Sequence, residues 1–136
     1  KIKINSKIIK EAKNHHTIIF YNQINKRKIR LLKKLKIKMY QIPLDTEGNL
    51  DLKKSLNKAH ELGFSRIFLE SGIKLSSSFL KQNLVNDLKI FISNKKLNKH
   101  GEGSIKKYFK TLLKRKKYTT EKVNLFNEKL ISYRIK

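Results

Sequence analysis

The chain has no cysteine and no tryptophan, a single proline, five glycines and ten acidic residues among its 136. The missing cysteines exclude disulfides, thiolate zinc sites and a cysteine nucleophile together. Four histidines remain, at 15, 16, 60 and 100, and none falls in H-E-x-x-H or a comparable ligand spacing, so no metal site is expected. His15 and His16 read instead as a solvated entrance to a strand. No apolar run approaches the ~18 residues of a transmembrane helix. The first residues, KIKINSKIIKEAK, hold no apolar h-region and no initiator Met. A secretory leader is therefore not expected, and the missing cysteines fit a cytoplasmic location.

What is abundant is positive charge. Thirty-four Lys and Arg stand against ten Asp and Glu, a formal net charge of +24. Such an excess points first to a polyanion such as RNA. Its distribution argues the other way. Lysines are spread along nearly every segment, whereas arginine, the bidentate reader of bases and phosphates, occurs only at 27, 30, 66, 115 and 134. Nucleic acid is thus the alternative partner rather than the leading one. Its best carriers are the basic face Lys26, Arg27, Lys28, Arg30, Lys33 and Lys34 and the run Lys114 to Lys117.

The hydrophobic pattern alternates between two periods. Ser6 can cap a short helical turn through Ala12. His16 to Tyr21 reads as a buried strand, β-branched and aromatic. Asn25 is placed to cap a helix over Lys26 to Lys36, with Ile29, Leu32 and Leu35 on one face. Lys38 to Ile42 reads as a second strand, stopped by Pro43. The turn-rich Leu44 to Asn49 leads to a helix from Asp51 to Leu62, which Asn49 or Asp51 can cap; Leu52, Leu56, Ala59 and Leu62 share a face and Gly63 occupies the C′ position. A third strand, Arg66 to Leu69, follows at once.

Glu70, Ser71 and Gly72 then make a tight turn into a serine-rich helix from about Lys74 to Gln82, in which Leu75, Phe79 and Leu80 are read as core. A strand ending in such a turn places backbone N–H groups and a helix N-terminus together, which suits an anionic ligand. Leu88 to Ser93 is apolar enough to be a central strand. Ser104 can cap a helix to about Leu113. Lys122 to Phe126 and Lys129 to Ile135 close the chain as an antiparallel hairpin. The alternation implies an α/β fold, one domain over residues 1–136, with a mixed, mainly parallel sheet flanked by helices.

The run Phe68-Leu69-Glu70-Ser71-Gly72, with Leu75, Ser78-Phe79-Leu80, Leu84-Val85-Asn86-Asp87-Leu88 and Phe91-Ile92, resembles the reductase domain of the bacterial riboflavin-biosynthesis deaminase/reductase. That family has an E-G-G or E-x-G turn after a strand, then a helix, an "LVDEL" step and a central strand. Leu50-Asp51-Leu52 and Leu62-Gly63 fit the preceding pattern. The resemblance covers most of the chain. It implies a dihydrofolate reductase-like fold and hydride transfer from NADPH to a pyrimidine ribosylamine 5′-phosphate. By position, Glu70 would face the substrate sugar. Gly72, Ile73, Lys74, Leu75, Ser76, Ser77 and Ser78 would wrap the cofactor pyrophosphate. A homodimer is also implied. The chain departs from the family at Ser71, where a second Gly is common, and at Asn86, where the step's acid is displaced to Asp87. The family's domain is longer, so N-terminal strands ahead of Lys1 are expected. The H-x-E and C-x-x-C motifs of a zinc deaminase are absent from these residues.

Overall fold

The computed structural model describes residues 2–93, 109, 113, 114, 116–123 and 128–136. By internal contacts the chain forms two compact units, Lys1–Ile67 and Phe68–Lys136. Each is described by itself.

The first unit begins with helix α1 (Lys7–Lys10), continued by a 3-10 turn over Glu11–Lys13. Ser6 holds the expected N-cap position, yet its hydroxyl makes no cap bond and is buried without a partner among the described residues. Strand β1 (Ile18–Tyr21), helix α2 (Lys26–Lys34) and strand β2 (Lys38–Gln41) form a βαβ unit, with the strands parallel from Ile18↔Lys38 to Tyr21↔Gln41. The crossover helix starts where expected, because the Asn25 side chain accepts a hydrogen bond from the Arg27 N–H at 2.8 Å. Its apolar stripe turns inward. Leu32 is fully buried and clusters with Ile9, Ala12 and Ile37, against Ile19, Leu35 and Met39. Lys26, Lys33 and Lys34 of the same helix stay solvated, as an amphipathic surface helix requires, while Lys28 is half-buried and its ammonium donates to the Ile2 carbonyl. Pairing continues one residue past β2, where the Ile42 N–H donates to the Tyr21 carbonyl at 2.7 Å before Pro43 ends it.

Between β2 and the next helix the Asp45 carboxylate accepts from the N–H groups of Glu47 and Asn49, both at 2.9 Å, and Gly48 takes a φ of +77°. Helix α3 (Leu52–Glu61) is capped by Asp51, which accepts from the Lys54 N–H at 3.0 Å. Gly63 follows its C-cap at φ +92°, the left-handed conformation that glycine adopts without a Cβ penalty. The exit is a Schellman motif, with Gly63 N–H to the His60 carbonyl at 2.8 Å and Phe64 N–H to the Ala59 carbonyl at 3.1 Å.

The second unit holds helix α4 (Ile73–Lys81) and an antiparallel sheet of β3 (Asp87–Ile92), β4 (Tyr118–Lys122) and β5 (Lys129–Arg134), in the order β3-β5-β4. Leu80, Phe109 and Ile135 are buried together, with Val85, Leu88, Ile90, Leu113 and Tyr133 packed on them. Helix α4 ends as α2 and α3 do. Asn83 N–H donates to the Leu80 carbonyl at 3.0 Å and Leu84 N–H to the Phe79 carbonyl at 2.9 Å. Asn83, like Lys36 after α2, is left-handed.

Several expectations are corrected. The α/β character holds, but the only parallel pair among the described residues is β1–β2, so a mainly parallel sheet is not what these residues form. Arg66 to Leu69 has no ladder partner among the described residues, and Phe68 is 84% exposed. A strand needs a neighbour to satisfy its N–H and C=O groups, and this run passes from one compact unit to the other. Among the described residues strand β3 stands at an edge of its sheet rather than at its centre. Lys89 interrupts its apolar run, so Leu88 and Ile90 point inward while Phe91 is exposed, the alternation of a strand buried on one face. An antiparallel pair closes the chain, with Tyr118–Lys122 on Lys129–Arg134; of the expected first strand, Lys122 to Phe126, residues 124–126 lie outside the described residues. Leu75 is exposed, and Leu80 carries the inward face of α4. The helix expected from Ser104 to Leu113 lies largely outside the described residues. No helix of the described residues is long and apolar enough to cross a membrane.

Candidate anion-binding turn at the start of helix α4

Glu70, Ser71 and Gly72 lead directly into α4, and all three are exposed. Gly72 is the N-cap, with φ −68° and ψ 168°. That is ordinary extended backbone, open to any residue. A Cβ built on Gly72 meets nothing within 4 Å. Nothing in the chain's own packing therefore demands glycine there. As a cap it offers no side chain, and no other side chain caps the helix. The first intrahelical bond is Ser76 N–H to the Gly72 carbonyl at 3.2 Å. The N–H groups of Ile73, Lys74 and Leu75 precede it and have no acceptor in the helix itself.

The charge pattern matches these free donors. The first turn of α4 has no acidic residue. Lys74 stands there instead, exposed, where a cation opposes the helix dipole. A cation in that place is favourable when an anion sits between it and the helix end.

The hydroxyls divide by role. Ser71 Oγ and Ser76 Oγ lie 2.9 Å apart, so they bridge the turn to the first helical turn. Ser78 donates to the Lys74 carbonyl at 3.1 Å, a bond within the helix. Ser77 is buried, with its hydroxyl unpartnered among the described residues. Ile73 is half-buried, beside the exposed Lys74 and Leu75. Glu70 has no ion pair among the described residues. The hydroxyl pair was the feature not seen in sequence. Its signal is the five-residue spacing of two serines across a helix start.

An exposed acid, a helix N-terminus without a side-chain cap bond and a hydroxyl pair thus stand together at this one turn. The chain belongs to the RibD C-terminal domain family, whose model matches residues 1–127. This is the family that Phe68 to Ile92 resemble. Among solved structures the chain is similar to a pyrimidine reductase-like protein from Corynebacterium diphtheriae, with a TM-score of 0.63 at 13% sequence identity. The likeness is one of fold, and it covers 98% of this chain and 56% of that one. The chain thus spans little more than half the length of the structure it matches. No curated protein matches it.

Proposed function

We propose that this chain is part of an NADPH-dependent oxidoreductase domain of riboflavin biosynthesis. Its reaction would reduce 5-amino-6-ribosylamino-pyrimidinone 5′-phosphate to the ribitylamino product. The observation that carries the reading is family membership over residues 1–127, joined to an uncapped helix N-terminus beside Glu70.

The residues fit a nicotinamide dinucleotide on physical grounds. Gly72 leaves open space where a side chain would stand, so a pyrophosphate can approach the backbone. The N–H groups of Ile73, Lys74 and Leu75 are oriented donors, and donors that need no reorganisation favour an anion more than flexible ones do. Lys74 adds charge. The Ser71–Ser76 hydroxyl pair adds neutral donors at the same end, and the reading assigns Ser77 and Ser78, on the turn that follows, to the same pyrophosphate. Glu70 is assigned to the substrate sugar, where a carboxylate accepts hydroxyl hydrogen bonds and fixes orientation. The cofactor supplies the hydride when bound; the chain supplies placement and polarity.

The reading includes two strands ahead of Lys1 that complete one domain. Support comes from the exposed Ile67, Phe68 and Leu69, an apolar run without ladder partners among the described residues. A cytoplasmic location and pairing as a homodimer go with it. The basic face of α2 supports the nucleic-acid alternative only through charge, and no observation favours it.

The test is a titration with NADPH and with RNA at low and moderate salt, using this chain and a polypeptide extended upstream. The reading expects saturable NADPH binding and RNA binding that collapses as salt rises. Failure of NADPH to bind the extended polypeptide would sink it.

A further inference from the structure

We infer that the outward face of the β3–β5–β4 sheet carries a binding site for a small phosphate-bearing anion. This does not rest on the hydride-transfer reading. Paired residues of an antiparallel sheet share a face. The register Lys89↔Ser132↔Thr119 therefore sets these three side chains in one row across the sheet, with Asp87↔Arg134 in the next. Leu88, Ile90 and Tyr133 take the opposite face and pack into the apolar cluster. Over the polar rows lies a concave space of ≈ 480 Å³, lined by Lys89, Lys117, Arg134, Asp87, Thr119 and Ser132 among others.

Three cations and one acid border that space. Asp87 is engaged with Arg134, Oδ1 to Nη1 at 3.6 Å, and Arg134 Nε donates to the Lys136 carbonyl at 2.9 Å, so the guanidinium is held in place. Lys89 and Lys117 have no acidic partner among the described residues. In the same row, Ser132 Oγ is shut off from solvent and unpartnered among the described residues, a costly state for a hydroxyl. Uncommitted cations around an unsatisfied donor, with Thr119 beside it, are the components of an oxyanion site. A phosphate on this face would lie against both ammonium groups, and a local adjustment that opens Ser132 Oγ to it would satisfy the hydroxyl as well.

The test uses the full chain, labelled with ¹⁵N and titrated with inorganic phosphate and separately with ribose 5-phosphate, at ionic strength held constant with chloride. The site predicts saturable shifts at the Lys89, Thr119 and Ser132 amides. Lys89→Gln and Lys117→Gln should each weaken binding about tenfold. Lys33→Gln, which removes the same unit charge from α2, should leave it unchanged. Ser132→Ala should weaken phosphate while raising the melting temperature of the free protein, a pair of opposite signs that a structural role would not give. Tighter binding of ribose 5-phosphate assigns a sugar phosphate, and equal binding assigns free phosphate. Shifts scattered over all basic surfaces, equal loss in Lys33→Gln, or no saturable binding of either ligand would overturn the site.

Discussion

Replacing Gly72 separates a ligand-binding corner from an ordinary helix start. Its backbone is extended, at φ −68° and ψ 168°, and a Cβ there meets nothing within 4 Å. Neither strain nor overlap opposes a side chain in the free protein. Only the capping preference remains. Serine caps better than glycine by a few tenths of a kcal/mol, and valine worse by about 1 kcal/mol. Gly72→Ser should therefore leave the melting temperature unchanged or slightly higher, and Gly72→Val should lower it by about 3–5 °C. Ligand binding should move the other way for serine. Either side chain projects into the space that a pyrophosphate would occupy and holds it off the N–H groups of Ile73, Lys74 and Leu75. The loss of one or two charge-assisted hydrogen bonds predicts about 10- to 100-fold weaker NADPH binding. Calorimetric titration on the extended polypeptide, with thermal melts run alongside, reads both quantities. A Gly72→Ser protein that binds NADPH as well as the parent would refute the reasoning, and so would one that melts well below it.

Three further outcomes follow from the first unit. Leu32→Ala empties a fully buried site and should cost about 2–5 kcal/mol in urea unfolding. Asp51→Ala removes the acceptor of the Lys54 N–H and should cost about 1 kcal/mol, with helix content otherwise retained. Lys58 is held above the ordinary lysine value, first by its hydrogen bond to Glu61, Nζ to Oε2 at 2.7 Å, and then by that carboxylate's charge. The stabilisation this gives is fully present at neutral pH and is lost as pH rises through the raised value. Glu61→Gln should lower the Lys58 titration midpoint seen by NMR and leave stability at pH 7 within error, as befits an exposed pair.

Local chemistry was the legible part of the fold. Asn25 was readable as a cap, Asn49 or Asp51 as the cap of the next helix, and Gly63 as a C′ residue, because each acts on backbone two or three residues away; the structure selects Asp51. The α2 stripe was readable for the same reason, since Leu32 and Leu35 need only helical period to share a side. Pairing was less legible. Apolar composition says that Ile67, Phe68 and Leu69 favour a strand, but only a neighbouring chain segment can satisfy their N–H and C=O groups, and none of the described residues does so. Strand β3 was misjudged because Leu88, Ile90, Phe91 and Ile92 read as a continuous core run, when Lys89 sets an alternation that buries one side. At the candidate turn, Glu70 and Gly72 were visible as residue types. The Ser71–Ser76 hydroxyl pair was not, since it depends on how the helix begins.

The three helices α2, α3 and α4 leave by the same left-handed exit, yet the residue that adopts it is lysine at 36, glycine at 63 and asparagine at 83. The geometry is constant while the fitness of the residue for it is not. A lysine there carries a Cβ against the preceding carbonyl, at a cost of about 1 kcal/mol. Lys36→Gly should recover about that much in urea unfolding, offset slightly by the greater freedom of glycine in the unfolded chain. For anyone producing this protein, Lys36 is thus a reserve of robustness in the sequence. It lies outside the Glu70–Ser78 segment, so a hardened parent can be made at that one position before the binding experiments begin.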